Sequence, residues 1–279
     1  MSLLSIVIVN YRSGDLLRAC LDSILKSLAT QDFEILVANN DSVQDLSPIL
    51  ARDWPSIQII QNTSNLGFGA AANRAFRQSK GQFLLLLNPD VRVKPSSIET
   101  LIATAEAHPK AGLVLPQLRN PDGSLQYSCR RFYTCGTLLL RRGPWKRFFD
   151  RHPKVRWHLM ADWDHQSLAV VDWGLGAAAL VRRQALQGAE LFDERFFLYF
   201  EDVDLCLRLR LSGWQVLYNP ASIMVHEHRR DSAGPWSLLA KRHHSMSLIK
   251  FLWKYRFQLG PTKSSAGSEK GVRGEMTDD

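Results

Sequence analysis

A carboxylate stands just after an apolar run in the first third of the chain. Phe83–Leu87 is wholly apolar and leads directly into Asn88-Pro89-Asp90. Asn, Pro and Asp favour turns for local backbone reasons, so a strand followed by an ordinary turn explains the same residues. Open α/β sheets, however, bind ligands at the carboxyl ends of their strands. Asp90 is therefore a candidate ligand-binding residue.

A second acidic cluster lies within Phe192–Asp204, where carboxylates alternate with aromatic residues. Aromatic surroundings desolvate a carboxylate and raise its pKa, which is how a general base is tuned. Asp202 and Asp204 fall at a predicted helix start, where negative charge also complements the helix dipole. Asp204 and Arg208, four residues apart, suit an ordinary helix ion pair.

His226 follows the apolar run Ile223–Val225, again at the end of a predicted strand. A lone His in such a place is more often structural than a ligand. Paired with Asp90, it offers an imidazole and a carboxylate to Mg²⁺ or Mn²⁺, with diphosphate oxygens and water in the other positions.

Two glycines, Gly67 and Gly69, stand at the entry to an alanine-rich helix within Asn65–Asn73. Glycines there permit close approach by a ligand, and free N–H groups at a helix start favour a phosphate. The pattern is not GxGxxG, and no suitable acid follows about 20 residues later to hold a ribose. Binding of NAD is therefore disfavoured.

Strands and helices alternate through the first half of the chain, which predicts a parallel sheet with right-handed crossovers. Each of the first four predicted strands ends on Asn, Asp or Ser, or on Gln followed by Asn, so a polar crevice is expected at their carboxyl ends. These strands are Leu3–Val9, Glu34–Ala38, Ile57–Ile60 and Phe83–Leu87.

Composition indicates the cellular setting of the chain and the kinds of partner that it could bind. The chain has 279 residues, 45% of them hydrophobic, and four cysteines without a CxxC pair, which favours a reducing cytoplasmic setting. No signal peptide and no apolar run of bilayer-spanning length is evident. The net charge of +8 is uneven, because nine Lys or Arg lie between Arg130 and Arg156 against one acid, Asp150.

That basic, aromatic segment suits nucleic acid, anionic lipid or a phosphorylated substrate, and a merely solvated loop is the alternative. No RNA- or DNA-binding module is evident, so we expect no nucleic-acid partner. Residues 236–257 form a second basic, apolar stretch. It is expected either to lie on an anionic bilayer as an amphipathic helix or to dock against the domain.

Taken in order, several segments resemble family 2 glycosyltransferases, particularly rhamnosyltransferase-like members that build bacterial surface polysaccharides such as lipopolysaccharide. The resemblance implies a GT-A fold, that is, a Rossmann-like, mostly parallel α/β sheet flanked by helices, here with a C-terminal helical segment. It further implies a nucleotide-diphosphate sugar donor, Mg²⁺ or Mn²⁺, and inversion at the anomeric carbon. The segments are SIVIVNY, NLGFGAAANRA, LLLNPDV, DWGLGAAALVRR, FDERFFLYFEDVDLCLRL and GWQVLYNPASIMVHEH.

The resemblance also implies roles for individual residues. Asp90 and His226 would bind the metal, and Asp202, paired with Glu201, would be the general base. Asn88 stands where the family has the first Asp of its DxD motif, and Asn39 or Asp41 stands where relatives have the Asp that reads the nucleotide base. The residues implied to contact the nucleotide sugar are Val9, Asn10, Tyr11, Asn39, Asp41, Asn65, Gly67, Asn73, Asn88, Trp173 and Gly176.

We therefore expect an inverting, metal-dependent glycosyltransferase that moves rhamnose from dTDP-rhamnose to a lipid-linked or polysaccharide acceptor in cell-surface glycan synthesis. It would act in the cytoplasm, peripherally on the inner face of the cytoplasmic membrane. Oligomeric state stays open. The expected division is a catalytic domain (1–228, with a donor half 1–118, an acceptor half 119–228 and an insertion at 130–160), a basic helical segment (229–260) and a disordered tail (261–279).

Two other functions are compatible with parts of the sequence. A sugar-nucleotide nucleotidyltransferase would share the crevice and carboxylates, but Asn10–Gly14 is a poor version of the basic, glycine-rich loop it needs. A non-catalytic, membrane-associated scaffold would use the two basic stretches. The presence of all the predicted catalytic and metal-binding acids, Asp90, Glu201 and Asp202, argues against such a loss of activity.

Overall fold

The computed structural model describes residues 4–28, 32–142, 148–227 and 237–256. The strands are β1 (Leu4–Asn10), β2 (Phe33–Asn39), β3 (Gln58–Gln61), β4 (Phe83–Leu87), β5 (Val91–Val93), β6 (Ala111–Arg119), β7 (Cys129–Arg130), β8 (Ala169–Val170), β9 (Trp173–Gly174), β10 (Ala178–Arg182) and β11 (Gln215–His226). The helices are α1 (Gly14–Ser27), α2 (Ser47–Asp53), α3 (Phe68–Gln78), α4 (Ser97–Ala107), α5 (Cys135–Arg142), α6 (Pro153–His158), α7 (Glu201–Leu211) and α8 (Ser237–Lys254).

One sheet with the order β3-β2-β1-β4-β10-β6-β11-β5 organises the molecule. β1 to β4 run parallel, and β6 and β11 are parallel to each other. β10 is antiparallel to both β4 and β6, so β6 runs in the direction of β4. The predicted mostly parallel sheet is confirmed. The predicted donor and acceptor halves share it, since β10 comes from the second half and lies between two strands of the first.

Strand β4 explains the apolar run in the sequence. Its five residues, Phe83–Leu87, are each at most 2% exposed. Successive side chains of a strand point to opposite faces, and both faces here are covered by helices. α1 and α4 pack on one face, and α3 and α7 pack on the other. A strand buried on both sides needs no polar alternation, and its first polar residues come at its end.

Several elements differ from the sequence-based expectation. β5 and α2 were not predicted. β5 has three residues and depends on antiparallel pairing with β11, a long-range contact that local patterns do not report. The basic segment contains β7, α5 and α6, although regular structure was not expected there. Pro153 begins α6, and the His152 side chain accepts a hydrogen bond from the Lys154 N–H.

Helix α8 docks against the domain, which was one of the two expected arrangements. Phe251 is fully buried, and Ser247 Oγ donates to the Leu198 carbonyl. Its opposite side stays exposed, with Trp253 at 76%. No helix in the described ranges is long and apolar enough to cross a bilayer. The expectations for residues 143–147, 228–236 and 257–279, including the disordered tail, lie outside the described residues.

Candidate active site

The carboxyl ends of β1 and β2 form one wall of a polar crevice. Asn10 lies opposite Asn39 in the parallel register, and its Nδ2 donates to Asn39 Oδ1 at 3.0 Å. Asn39 Nδ2 in turn donates to Gln61 Oε1 at 2.8 Å and to the Gln44 carbonyl at 2.7 Å. Asn39 is fully buried, so its side chain supports the loop after β2 and is not on the crevice surface.

The rest of this wall places the other predicted donor-side residues. Val9 and Asp41 are largely buried, whereas Tyr11 is 37% exposed and Asn65 is exposed. Asp41 Oδ1 accepts the Val43 N–H at 3.0 Å, which closes a turn at the start of the loop. Tyr11, Asn65 and the partly exposed Asn88 are the polar groups that a ligand would meet directly.

Asn40, which the sequence reasoning did not select, joins this wall to the glycine loop. Its Nδ2 donates to Asn65 Oδ1 at 2.9 Å and to the Gly67 carbonyl at 3.1 Å. Its Oδ1 accepts from Asn62 Nδ2 and from the Leu66 N–H. The one sequence signal was its place in the polar run at the end of β2.

Gly67 is where the glycine loop meets the acidic loop. Its φ is +85°, and a Cβ there would lie 2.5 Å from the Phe197 carbonyl oxygen, which also accepts the Phe68 N–H. Only glycine fits such a position without strain. Asn73, predicted to contact the donor, is fully buried, and it exchanges hydrogen bonds with the backbone of Phe192. These hydrogen bonds join α3 to the acidic loop, and the donor contact of Asn73 stays a prediction.

Asp90 and His226 lie side by side at the ends of β4 and β11, as the sequence suggested. His226 Nε2 is 3.4 Å from Asp90 Oδ1, and His226 Nδ1 is 2.8 Å from Gln126 Oε1. A glutamine carbonyl oxygen only accepts, so Nδ1 carries a proton and Nε2 is the ring nitrogen that faces Asp90. Asp90 Oδ1 is buried and forms no hydrogen bond with the described residues. A carboxylate oxygen and an imidazole nitrogen this close together are the kinds of atom that bind a divalent cation.

The pair fits a divalent cation, but only as part of its coordination. Among the described residues, no group of three or more His, Cys, Asp or Glu side chains is arranged to hold a metal. A metal at Asp90 and His226 therefore needs further oxygen ligands, which a diphosphate and water supply. Gln126, which orients the imidazole, was not selected from sequence.

The backbone at the start of β10 brings the second acidic cluster to the same place. Gly176 N–H donates to Asp202 Oδ2 at 3.3 Å, and the carbonyl of the next residue, Ala177, accepts the Asn88 N–H at 2.8 Å. A Cβ at Gly176 would lie 3.4 Å from the Asp202 Cβ, so the small residue permits this approach. The backbone of two consecutive residues, Gly176 and Ala177, thus links Asp202 to the strand end that carries Asp90.

Glu201 and Asp202 occupy the first turn of α7. Burial raises the pKa of Asp202 to about 6, although hydrogen bonds from the Val203 and Gly176 N–H groups and the charge of Arg130 oppose the rise. Burial, followed by the Asp202 charge, raises the pKa of Glu201 well above its ordinary value. Glu201 Oε2 is buried and makes no hydrogen bond with the described residues. With its pKa at about 6, Asp202 is mostly a carboxylate at neutral pH, whereas Glu201 beside it is harder to ionise than an ordinary glutamate.

Asp204 has a different role although it is two residues away. It is fully buried, and Arg208 Nε donates to it at 2.9 Å, which confirms the predicted helix ion pair. Lys254 and Tyr255, at the end of α8, also donate to this carboxylate. Asp204 is thus occupied in holding α8 on α7.

A cluster of aromatic rings around Tyr133 of the basic segment packs against Phe200, two residues before Asp202. Tyr133 stacks on Phe200 with ring centroids 5.6 Å apart and also contacts His158 and Trp173. Trp173 is 4% exposed and its Nε1 donates to the Arg131 carbonyl. Trp173, which was predicted to line the sugar pocket, is therefore almost fully buried and packs against the Tyr133 ring.

Comparison with solved structures shows the fold. A mannosyltransferase from Pyrobaculum calidifontis, in complex with GDP-Man and Mn²⁺, aligns with a TM-score of 0.61 over 90% of this chain, at 16% identity. The chain spans 64% of that structure's length. GalNAc-T7, with UDP, GalNAc and Mn²⁺, also aligns at 0.61, over 82% of this chain and 43% of its own, at 15% identity. The expected GT-A fold is confirmed.

Sequence relatives are closer. An N-acetylglucosaminyl-diphospho-decaprenol L-rhamnosyltransferase from Mycobacterium tuberculosis is 34% identical over 258 residues, which is 87% of this chain and 82% of the relative. Rhamnosyltransferase WbbL from Escherichia coli is 27% identical over 90% of this chain and 93% of its own length. The sequence profile described as Glycosyl transferase family 2 matches residues 5–170. With the acidic pair and the strand-end carboxylate in one crevice, the chain belongs to glycosyltransferase family 2.

Proposed function

We propose that this glycosyltransferase is inverting and metal-dependent, and that it moves rhamnose from dTDP-rhamnose to a lipid-linked acceptor whose sugar is joined to the lipid through a diphosphate. The observation that carries the proposal is the bridge at Gly176 and Ala177, which places the base Asp202 beside the strand end of Asp90. The relatives from M. tuberculosis and E. coli are both named rhamnosyltransferases, which supports rhamnose as the sugar. The name of the M. tuberculosis relative also supports an acceptor joined to a lipid through a diphosphate.

Asp202 removes the proton from the attacking acceptor hydroxyl. Its pKa of about 6 leaves it mostly ionised at pH 7, yet basic enough to accept a proton as the new bond forms. The N–H groups of Val203 and Gly176 fix the orientation of its two oxygens.

Asp90 and His226 would hold Mg²⁺ or Mn²⁺, and Gln126 keeps the imidazole in the tautomer that offers Nε2. A divalent ion there supplies positive charge that stabilises the departing nucleotide diphosphate. On the donor side, Val9, Asn10, Tyr11, Asp41, Asn65, Gly67 and Asn88 line or shape the nucleotide-sugar site. Asn39 and Asn73 act through the loops that they hold.

We also propose that the outer face of α8 rests on the anionic inner face of the cytoplasmic membrane. Leu239, Met246, Ile249 and Trp253 are exposed along this helix, and α8 contains basic residues but no acidic ones. Such a face suits the headgroup region of an anionic bilayer. Co-sedimentation with vesicles of anionic and of neutral lipid tests this. Loss of anionic-vesicle binding in Trp253→Ser with Ile249→Ser supports the contact, and unchanged binding contradicts it.

Nucleotide release tests the reaction. Purified protein is given dTDP-rhamnose or UDP-hexoses, a short-chain diphosphate-linked GlcNAc acceptor, and Mg²⁺ or Mn²⁺. We expect turnover with dTDP-rhamnose that is lost with EDTA, restored by the metal, and lost in Asp90→Ala and Asp202→Asn. Asp162→Asn, which changes an exposed carboxylate paired with Arg156, is the matched control. Wild-type rates in either site variant would refute the assignment of that residue.

A further inference from the structure

We propose that Ser247 of α8 is a positioning residue for the reaction, because it holds the backbone turn at Tyr199–Phe200 that sets the place of Asp202. The inference rests on the proposed function in that Asp202 is taken as the base. It gives α8 a part in catalysis beyond its docking against the domain.

The turn that leads into α7 is strained. Tyr199 has a φ of +67° and Phe200 has a φ of +71°, a left-handed conformation that bulky side chains rarely adopt. Such a conformation persists only where the surrounding structure holds it in place. Phe200 directly precedes Glu201 and Asp202, so a relaxation of this turn moves the start of α7 and the acidic pair with it.

Hydrogen bonds fix the chain on both sides of this turn. After it, the Phe200 carbonyl accepts the Asp204 N–H at 2.9 Å as α7 begins. Before it, the Leu198 carbonyl accepts from Ser247 Oγ at 2.9 Å. Ser247 is 2% exposed, and its hydroxyl bonds to another element rather than to a carbonyl of its own helix. A side chain of α8 therefore supplies a fixed point directly before the strained residues.

The same face of α8 follows the loop of residues 192–200 on either side of this bond. His243 stacks on Phe197 with ring centroids 4.4 Å apart, and Lys250 Nζ donates to the Arg195 carbonyl at 2.7 Å. Positions 243, 247 and 250 are spaced by four and three residues, so they share one face of the helix. The loop thus lies along α8, with position 247 in the middle of the contact.

The orientation of the Asp202 carboxylate depends on where α7 begins. Its Oδ2 accepts the Gly176 N–H at 3.3 Å, and its Oδ1 accepts the N–H of Val203, the next residue. The first bond is long for an N–H···O contact, and the second moves with the helix. Because a misplacement of about 1 Å can lower a reaction rate by about a hundredfold, the turn that sets the helix start also sets the efficiency of the base.

A double-mutant cycle of thermal unfolding tests the inference without catalysis. The readout is the change in Tm that Asp202→Asn causes at pH 7 in each serine background. We expect this change to be about half as large in Ser247→Ala as in the wild-type background, because a relaxed turn exposes the carboxylate to water. Ser245→Ala is the matched control, since Ser245 is an exposed serine of the same helix, and it should leave the change as it is in wild type. Equal changes in the two serine backgrounds would overturn the inference.

Steady-state kinetics with a soluble short-chain acceptor and no vesicles give the second readout. Ser247→Ala should lower kcat about tenfold, which corresponds to the loss of one hydrogen bond, and leave KM for the donor within about twofold of wild type. Lys250→Met removes the bond to the Arg195 carbonyl from an exposed position and should lower kcat about threefold, so the test does not depend on one variant that folds.

The kinetic outcomes separate this inference from the proposed function. If Ser247→Ala has the kcat of Ser245→Ala, or a raised KM with an unchanged kcat, the hydrogen bond does not position the base. Turnover of Asp202→Asn at the wild-type rate would instead refute the base itself. Absence of turnover in the wild type would refute the proposed function, and the unfolding cycle would still decide whether Ser247 sets the surroundings of Asp202.

Discussion

Replacing Asp202 with Asn should stabilise the protein at neutral pH while it removes the base. Burial raises the pKa of this carboxyl from 3.8 to about 6, so its ionised form is disfavoured in the folded state. The difference corresponds to about 3 kcal/mol of folding free energy at pH 7. Because the folded pKa is raised, this destabilisation is absent below the unfolded pKa and grows as pH rises towards the folded value.

One hydrogen bond offsets part of the gain. An Asn can still accept the Val203 N–H through Oδ1, but an amide NH₂ in place of Oδ2 cannot accept the Gly176 N–H. The lost bond costs about 1 kcal/mol, which leaves a net gain of about 2 kcal/mol at pH 7. For a chain of this size, that raises Tm by roughly 3 °C. The gain should vanish near about pH 4.5 and reverse in more acidic solution.

Thermal unfolding of both proteins between pH 4 and 8 measures the effect. Asp204→Asn is the matched control, because Asp204 is equally a first-turn carboxylate of α7 but is bonded to Arg208 and Lys254. Removing the carboxylate that these two cations share should destabilise by about 3 kcal/mol, although Lys254 keeps its ion pair with Asp193. A Tm of Asp202→Asn below that of wild type at pH 7, or a stability difference that does not change with pH, would refute the reasoning.

Three further outcomes are expected. The kcat/KM of the wild type should fall tenfold per pH unit below about pH 6, since Asp202 must be ionised to accept a proton; a profile flat down to pH 5 contradicts this. Gly67→Ala should lower Tm and raise KM for the donor, because the added Cβ meets the Phe197 backbone. Gly123 has a similar φ of +83° but nothing within 4 Å of the added Cβ, so Gly123→Ala should cost only the backbone strain, about 1 kcal/mol of unfolding free energy. Equal losses in the two variants would show that the contact with Phe197 is unimportant. Asn40→Ala removes four hydrogen bonds and should destabilise by about 3 kcal/mol in urea unfolding, and a change under 1 kcal/mol would contradict its role as the link between β2 and the glycine loop.

The strand ends were predictable because their signal is local. An apolar run such as Phe83–Leu87, followed by Asn88, predicts a strand, its burial and the place where it ends. The apolar run that leads to Asn39 does the same for β2. The direction of β10 was not predictable, since its run of four apolar residues, Ala178–Val181, is equally compatible with either orientation. Only its pairing with β4 and β6 reveals that it is antiparallel.

The candidate site was predictable in part, for a similar reason. The types and order of Asp90, Glu201, Asp202 and His226 carried a family resemblance, but side-chain partners depend on the packing. Asn40 lies in a polar run of the sequence and Asn73 in an alanine-rich one, and neither setting reveals the partners of the side chain. The structure buries Asn73 against Phe192 and gives Asn40 four bonds across two loops.

By itself, the sequence determined the alternating strands and helices, the polar strand ends and the set of carboxylates, because periodicity and residue type are properties of neighbouring residues. Tertiary structure decided which carboxylate does what. Asp202 and Asp204 differ by two positions on one helix, and that rotation points one at the Gly176 N–H and the other at Lys254. The pKa of Asp202 follows from its burial, which no local pattern specifies.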